Sequence, residues 1–121
     1  MIEETIYDYL NDNASVPWFA MKSPAFGDDE QPRQYYGLFE KTNNTESNHI
    51  NTATFAFQSY APTLLEAAQI SEELRELIKQ LPAQTSEVSK AQLQGEYNFT
   101  NTQTKQPRYQ AVFSIVYFED F

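Results

Sequence analysis

The stretch that most constrains this chain is Asn51 to Pro82, where a strand pattern hands over directly to a helix pattern. Thr52–Tyr60 (TATFAFQSY) alternates, with Phe55 and Phe57 on one side and Thr54, Ala56 and Gln58 on the other. A period of two marks a half-buried strand. Ala61-Pro62 breaks it. Thr63 then precedes Glu66 by three residues, the spacing at which a hydroxyl and a carboxylate satisfy orphan N–H groups of a first helical turn. Ala67, Ile70, Leu74, Leu77, Ile78 and Leu81 follow at three- and four-residue steps, and Glu66, Glu72, Glu73, Arg75, Glu76 and Lys79 fall largely between them. One stripe is therefore apolar and the rest wet, and Pro82 is expected to end the helix. A sheet with an amphipathic helix laid across it follows.

The remaining segments read as parts that complete this unit. Ile2, Ile6, Tyr9 and Leu10 have helical spacing with Glu3, Glu4 and Asp8 between them, which predicts a short helix over Ile2–Asn11 stopped by Asn11-Asp12-Asn13. Val16–Met21 predicts a short edge strand, because Pro17 cannot donate to a central ladder, with Trp18 as a core plug. Ser23–Arg33 is a loop by composition. Its Asp28, Asp29 and Glu30 lack the alternating ligands, Gly and distant Glu of a calcium loop, so they read as a solvated acidic run.

Gln34–Glu40 predicts a strand with Tyr36 and Leu38 on one face and Tyr35 and Phe39 on the other; Gly37 within it implies a bulge or a close backbone approach. Lys41–Asn51 (KTNNTESNHIN) is polar and Asn-rich, and predicts a hairpin with a loop longer than a tight turn. The only histidine, His49, lies there and reads as a surface residue. Beyond an Ala83–Ser89 linker, Lys90–Thr100 predicts a strand with Ala91, Leu93, Gly95, Tyr97 and Phe99 in one phase. After a turn over Asn101–Pro107, Arg108–Phe118 predicts a central strand: Tyr109, Ala111, Phe113, Ile115 and Tyr117 share one face, and Val112, Val116 and Phe118 make the other apolar too. The expected architecture is α+β: one domain over residues 1–121, with a four- to five-stranded, mainly antiparallel sheet and two helices packed on one face.

Composition narrows function by exclusion. At 121 residues the chain suits one domain that buries about two thirds of its unfolded surface. Cysteine is absent, which removes disulfides, thiol nucleophiles and Cys-based zinc sites. The sequons at Asn13, Asn43 and Asn98 carry meaning only on a secretory route, and the acidic start Met1-Ile2-Glu3-Glu4 is unlike a signal peptide, so a cytoplasmic site of folding is expected. A net charge of −9 argues against nucleic-acid binding, which draws its affinity from Lys and Arg, and against docking on an anionic membrane. No phosphate-cradling glycine loop and no nucleophile–base pair can be assembled from three glycines, one His and no Cys. The acids sit on a wet helix face, in a loop and at the termini, where burial does not tune them for acid–base work. No catalytic, metal or cofactor residue is assigned. A binding or assembly role is favoured.

Taken over nearly the whole chain, the order of these pieces resembles the tail-terminator and minor tail (tail-completion) proteins of long-tailed bacteriophages and prophages. The likeness rests on Met1–Leu10 as a short opening helix followed by Pro17-Trp18-Phe19, and on the Thr54–Tyr60 strand running into Ala61-Pro62-Thr63-Leu64-Leu65-Glu66-Ala67-Ala68. It rests also on the closing hairpin with Gly95-Glu96-Tyr97-Asn98 and Arg108-Tyr109-Gln110-Ala111-Val112-Phe113. The Ser23–Arg33 and Lys41–Asn51 segments are more polar than that pattern. The resemblance implies a virion protein, made in the bacterial cytoplasm, that forms a homo-oligomeric ring, typically a hexamer. Such a ring caps the tail tube, meets head–tail connector proteins and lets DNA pass without specific binding; no cofactor is implied. The segments not needed for the core are the expected subunit contacts: Asn43, Asn44, Glu46, Asn48 and His49 in one, Asp28, Asp29 and Glu30 in the other. An acidic module that inhibits a partner by mimicking DNA, a domain closing on a small ligand, and another connector or minor capsid role stay open.

Overall fold

A computed structural model of the chain describes residues 1–20, 35–100, 102 and 105–118. The elements in order are α1 (Ile2–Asn13), β1 (Trp18–Ala20), β2 (Tyr36–Ser47), β3 (Ile50–Tyr60), α2 (Leu64–Gln84), β4 (Val88–Asn98) and β5 (Arg108–Phe118). The strands form one five-stranded mixed sheet in the order β1-β2-β3-β5-β4. Among the described residues only the β1–β2 pair is parallel, and the other three pairs are antiparallel. The α+β architecture with both helices on one face is the one expected from the sequence.

The alternation in β3 and β5 decides which face is covered. Phe55 and Phe57 of β3 and Tyr109, Ala111, Phe113, Ile115 and Tyr117 of β5 point to the helices, where Ile2, Ile6 and Leu10 of α1 and Ala67, Ile70, Leu74, Ile78 and Leu81 of α2 close over them. Burying each large apolar side chain stabilises the fold by about 1.5–3 kcal/mol before entropy is counted. Phe57 is the hub: it stacks on Phe39 at 5.8 Å and meets Phe113 and Trp18 edge-on at 5.9 and 6.1 Å. The second face of β5 is half-buried at Val112 and Val116 and exposed at Phe118, so this central strand is not buried on both sides as expected.

Polar contacts fix the helices to the sheet. Thr63 caps α2 by accepting from the Glu66 N–H at 3.2 Å, and its hydroxyl donates to the Glu66 carboxylate at 2.9 Å. Tyr9 of α1 donates to the Leu77 carbonyl of α2 at 2.6 Å. Arg75 and Ser71 of α2 hold the Glu96 carboxylate of β4 at 2.8 and 2.5 Å. Asn11 grips both backbone groups of Trp18, accepting from its N–H at 3.0 Å and donating to its carbonyl at 2.9 Å.

Three local expectations are corrected. Helix α2 runs through Pro82 to Gln84 rather than stopping there, because a proline in the last turn removes a single ladder bond and the next turn still closes through the Thr85 N–H on the Leu81 carbonyl. Helix α1 likewise reaches Asn13, two residues past its expected end. In β4 a register shift between Leu93 and Gly95 splits the expected single phase. Ala91 and Leu93 pack toward the helices, while Tyr97 lies on the opposite face, where the Gln110 side chain donates to its hydroxyl.

Candidate interaction surface

The polar segment after Glu40 is not the long loop its composition implies. Strand β2 continues through it to Ser47, and β3 starts at Ile50, leaving a two-residue turn at Asn48 and His49. Both turn residues have positive φ, 53° and 67°, the left-handed backbone that a type I′ turn demands at its two central positions. The ladder is continuous, with Asn43 opposite Thr54, Asn44 opposite Ala53, Thr45 opposite Thr52, Glu46 opposite Asn51 and Ser47 opposite Ile50, after one shift between Lys41 and Asn43. Pairing on both flanks of β3 overrides weak local propensity, since β3 is also matched to β5 from Ile50–Phe118 to Tyr60–Arg108.

Of the expected contact residues, Asn43, Asn44, Glu46, Asn48 and His49 are brought together on this arm, and all are exposed. They do not form one loop tip. Asn43 and Thr45 face away from the helices, whereas Asn44 faces the helix side and is tied down: Tyr117 donates to its Oδ1 at 3.0 Å, and its Nδ2 donates to Asn51 at 3.0 Å. Lys41 bridges back to Glu3 of α1 at 3.1 Å. Asp28, Asp29 and Glu30 lie outside the described residues.

Sequence reasoning missed two features. The first is a polar network on the sheet face away from the helices. Arg108 donates to the Tyr60 hydroxyl at 3.1 Å, Tyr60 to Gln58 at 2.8 Å, Gln58 to Gln110 at 2.9 Å and Gln110 to Tyr97 at 2.6 Å. Tyr36 stacks on Tyr60 with ring centres 4.6 Å apart, and burial pushes the Tyr36 hydroxyl above the usual phenol range, with a hydrogen bond from Gln106 partly offsetting it. A signal existed: the paired glutamines Gln58 and Gln110 sit in the otherwise apolar strands β3 and β5. The second feature is the free edge of β4, which no other described strand pairs.

A cleft of about 240 Å³ lies between the segment after α1 and helix α2, lined by Ser15, Tyr35, Glu66, Ile70 and Glu73 among others. Its carboxylates are engaged: Glu73 accepts from the Ser15 N–H and hydroxyl, both at 3.0 Å, and Glu66 accepts from Tyr35 at 2.8 Å. That bond to Glu66 is the main reason the Tyr35 hydroxyl is held above its ordinary range. Among the described residues no group of three His, Asp or Glu side chains could hold a metal ion, and no helix is long and apolar enough to cross a membrane.

The outward charge is uneven. Glu3, Glu4, Asp8 and Asp12 on α1 and Glu66, Glu72, Glu73 and Glu76 on α2 stand against Arg75 and Lys79 in the helix layer. The chain matches no protein-family model and no curated protein sequence.

Proposed function

We propose that this chain is a structural subunit of a long-tailed bacteriophage or prophage tail, a terminator-type protein that assembles with copies of itself into a ring. The ring closes the head-proximal end of the tail tube and presents a surface to the head–tail connector. The observation that supports this reading best is the β2–β3 arm: a polar, exposed ladder whose outer edge, among the described residues, is paired by β1 only from Gly37 to Phe39. An arm of this kind offers hydrogen-bonding backbone to a neighbour rather than a pocket to a small molecule. The acidic helix layer and the net charge of −9 fit a particle through which DNA slides by like-charge repulsion. In a closed ring the arm of each copy meets a different patch on the next.

The test is the mass of the purified chain by light scattering across concentration, alone and with isolated tail tubes, paired with electron microscopy. Assembly into rings, or binding confined to tube ends, is the expected result. A monomer at every concentration that leaves tube ends bare refutes the reading. The acidic helix layer also favours a second reading, an inhibitor presenting carboxylates in place of phosphates; it requires salt-sensitive binding to a basic protein.

A further inference from the structure

We propose that the outward face of α1 of one copy docks on the β4–β5 corner of a second copy, with Asp8 and Asp12 meeting Arg108 and Lys105 beside the rings of Tyr97 and Phe99. This rests on the self-assembly reading above and adds a contact to the one assigned there to the arm.

The corner stands out first by charge. The chain carries 17 acids and 8 bases, yet Tyr97–Arg108 holds Lys105, Arg108 and no acid. Lys105 is exposed, and neither base lies within ion-pair distance of a carboxylate among the described residues. Arg108 is also fixed in place. Its Nε donates to the Phe99 carbonyl at 2.7 Å and its Nη1 to the Tyr60 hydroxyl at 3.1 Å, while its guanidinium carbon lies 4.4 Å from the centre of the Phe99 ring. These bonds leave the edge between Nη1 and Nη2 without an acceptor among the described residues, and that edge is the one a carboxylate binds with both oxygens.

The hydrogen bonds that leave Arg108 end in a second donor. The run through Tyr60, Gln58 and Gln110 donates in one direction and stops at Tyr97, whose own hydroxyl proton has no acceptor among the described residues. Bonds aligned this way polarise one another, which strengthens the last hydroxyl as a donor. Between the two donors stand open rings: Tyr97 and Phe99 are 44% and 39% exposed and meet edge to face at 6.0 Å. Gly95 shares the Tyr97 face, and a Cβ there would meet nothing within 4 Å, which leaves a shelf for an apolar group. The corner therefore suits carboxylates carried beside an aromatic side chain. A nucleic-acid strand is opposed by the net charge of −9.

Helix α1 has the complementary composition. It contains Glu3, Glu4, Asp8 and Asp12 and no base. Glu3 is bridged to Lys41 and Glu4 lies 3.8 Å from the terminal ammonium, but Asp8 and Asp12 have no cationic partner among the described residues. Both are exposed and one turn apart, a spacing at which like charges repel. Asp12 also stands in the last turn, where the helix dipole disfavours an acid. Two local rules broken on one face mark a surface whose compensation lies outside the copy. Tyr7, next to Asp8 and 42% exposed, supplies the aromatic group. Because α1 and the Tyr97 face lie on opposite sides of the sheet, a copy cannot satisfy itself, and the contact runs head to tail as in a closed ring.

Charge exchange tests this contact. One variant carries Lys105→Glu and Arg108→Glu, the other Asp8→Lys and Asp12→Lys; light scattering at low salt follows association, and circular dichroism confirms folding. Each variant alone is expected to stay monomeric where the parent chain forms oligomers, because like charges then face each other. A one-to-one mixture is expected to restore oligomers, since every corner again meets a helix of opposite sign. Lys105→Glu alone leaves the bonds of Arg108 intact and keeps the test valid where Arg108→Glu unfolds. It should weaken association roughly tenfold, a lost attraction plus a new repulsion, and less as salt is added. Oligomers indifferent to every reversal overturn this interface and leave the ring reading standing. Loss of association in both variants without rescue in the mixture overturns α1 as the occupant, as does loss confined to the corner variant. Absence of any parent oligomer, alone or on tail tubes, overturns both readings.

Discussion

Placing one methyl group at Gly37 tests the packing on which the β1 side of the fold depends. A Cβ there would sit 2.3 Å from Cε3 of Trp18 and 2.4 Å from both Cδ2 and Cζ3. Ordinary carbon contacts are about 3.5–4.0 Å, so the indole has to withdraw by roughly 1.2 Å or more. It has no easy retreat. Its backbone is held on both sides by Asn11, β1 is registered against β2 at Gly37 itself, and the Gly37 N–H donates to the Pro17 carbonyl at 2.9 Å. The ring is fully buried against Phe57. Overpacking a filled site costs about 1–3 kcal/mol, and losing a buried Trp from the core about 3–5 kcal/mol. Gly37→Ala should therefore destabilise by about 3 kcal/mol, which for a domain of this length lowers the melting temperature by roughly 12 °C.

The chain has a single tryptophan, so urea unfolding followed by its fluorescence reads the same site that is strained. The midpoint should fall and native-state emission should shift to the red. Gly95→Ala is the control: a Cβ there meets nothing within 4 Å, and its stability should stay within about 1 kcal/mol of the parent. Gly37→Ala behaving like Gly95→Ala, with unshifted emission, would show that the indole does not rest on this glycine.

Thr63→Ala removes the acceptor for the Glu66 N–H and should cost about 1 kcal/mol in denaturant unfolding; no change would mean that solvent caps α2 equally well. Burial raises the Tyr9 hydroxyl above its ordinary range, and Tyr36 moves the same way, so both favour the protonated form when folded. That contribution is fully present below about pH 10 and is lost as pH rises through the folded-state values; Tyr9→Phe should flatten the alkaline fall in stability, and an unchanged slope would count against it. His49→Gly relieves a left-handed backbone at the arm tip and should raise stability by about 1 kcal/mol, whereas a lower melting temperature would show that His49 side-chain contacts outweigh the strain.

What could be read from the residues alone depended on whether a local period survived the tertiary setting. Phe55 and Phe57 in β3, Phe113 and Ile115 in β5 and the Ile70–Leu74–Ile78–Leu81 stripe of α2 keep strict periods, and each faces the core as its spacing requires. At Gly37 the sequence announced a close approach without naming the visitor, because Trp18 reaches it through the parallel β1–β2 pairing. The phase of β4 was lost at Gln94, the extra residue between Leu93 and Gly95, and a bulge leaves no mark in hydrophobic alternation. The arm departs from its local signal for the opposite reason: Asn and Glu have weak strand preference, yet β3 is paired on both sides and carries β2 with it.

The same contrast bears on why contact residues are harder to find than core residues. A core selects side chains by volume and apolarity, so it writes a period into the sequence. An open strand edge is recognised chiefly through backbone N–H and C=O groups, which almost every residue supplies. Its side chains need only stay polar and avoid repulsion, a requirement that Ser89, Lys90, Gln92 and Gln94 meet no more visibly than any solvated strand. Composition therefore directs attention to the Asn-rich arm, whereas the edge of β4 that no other described strand pairs emerges only once the strand order is known.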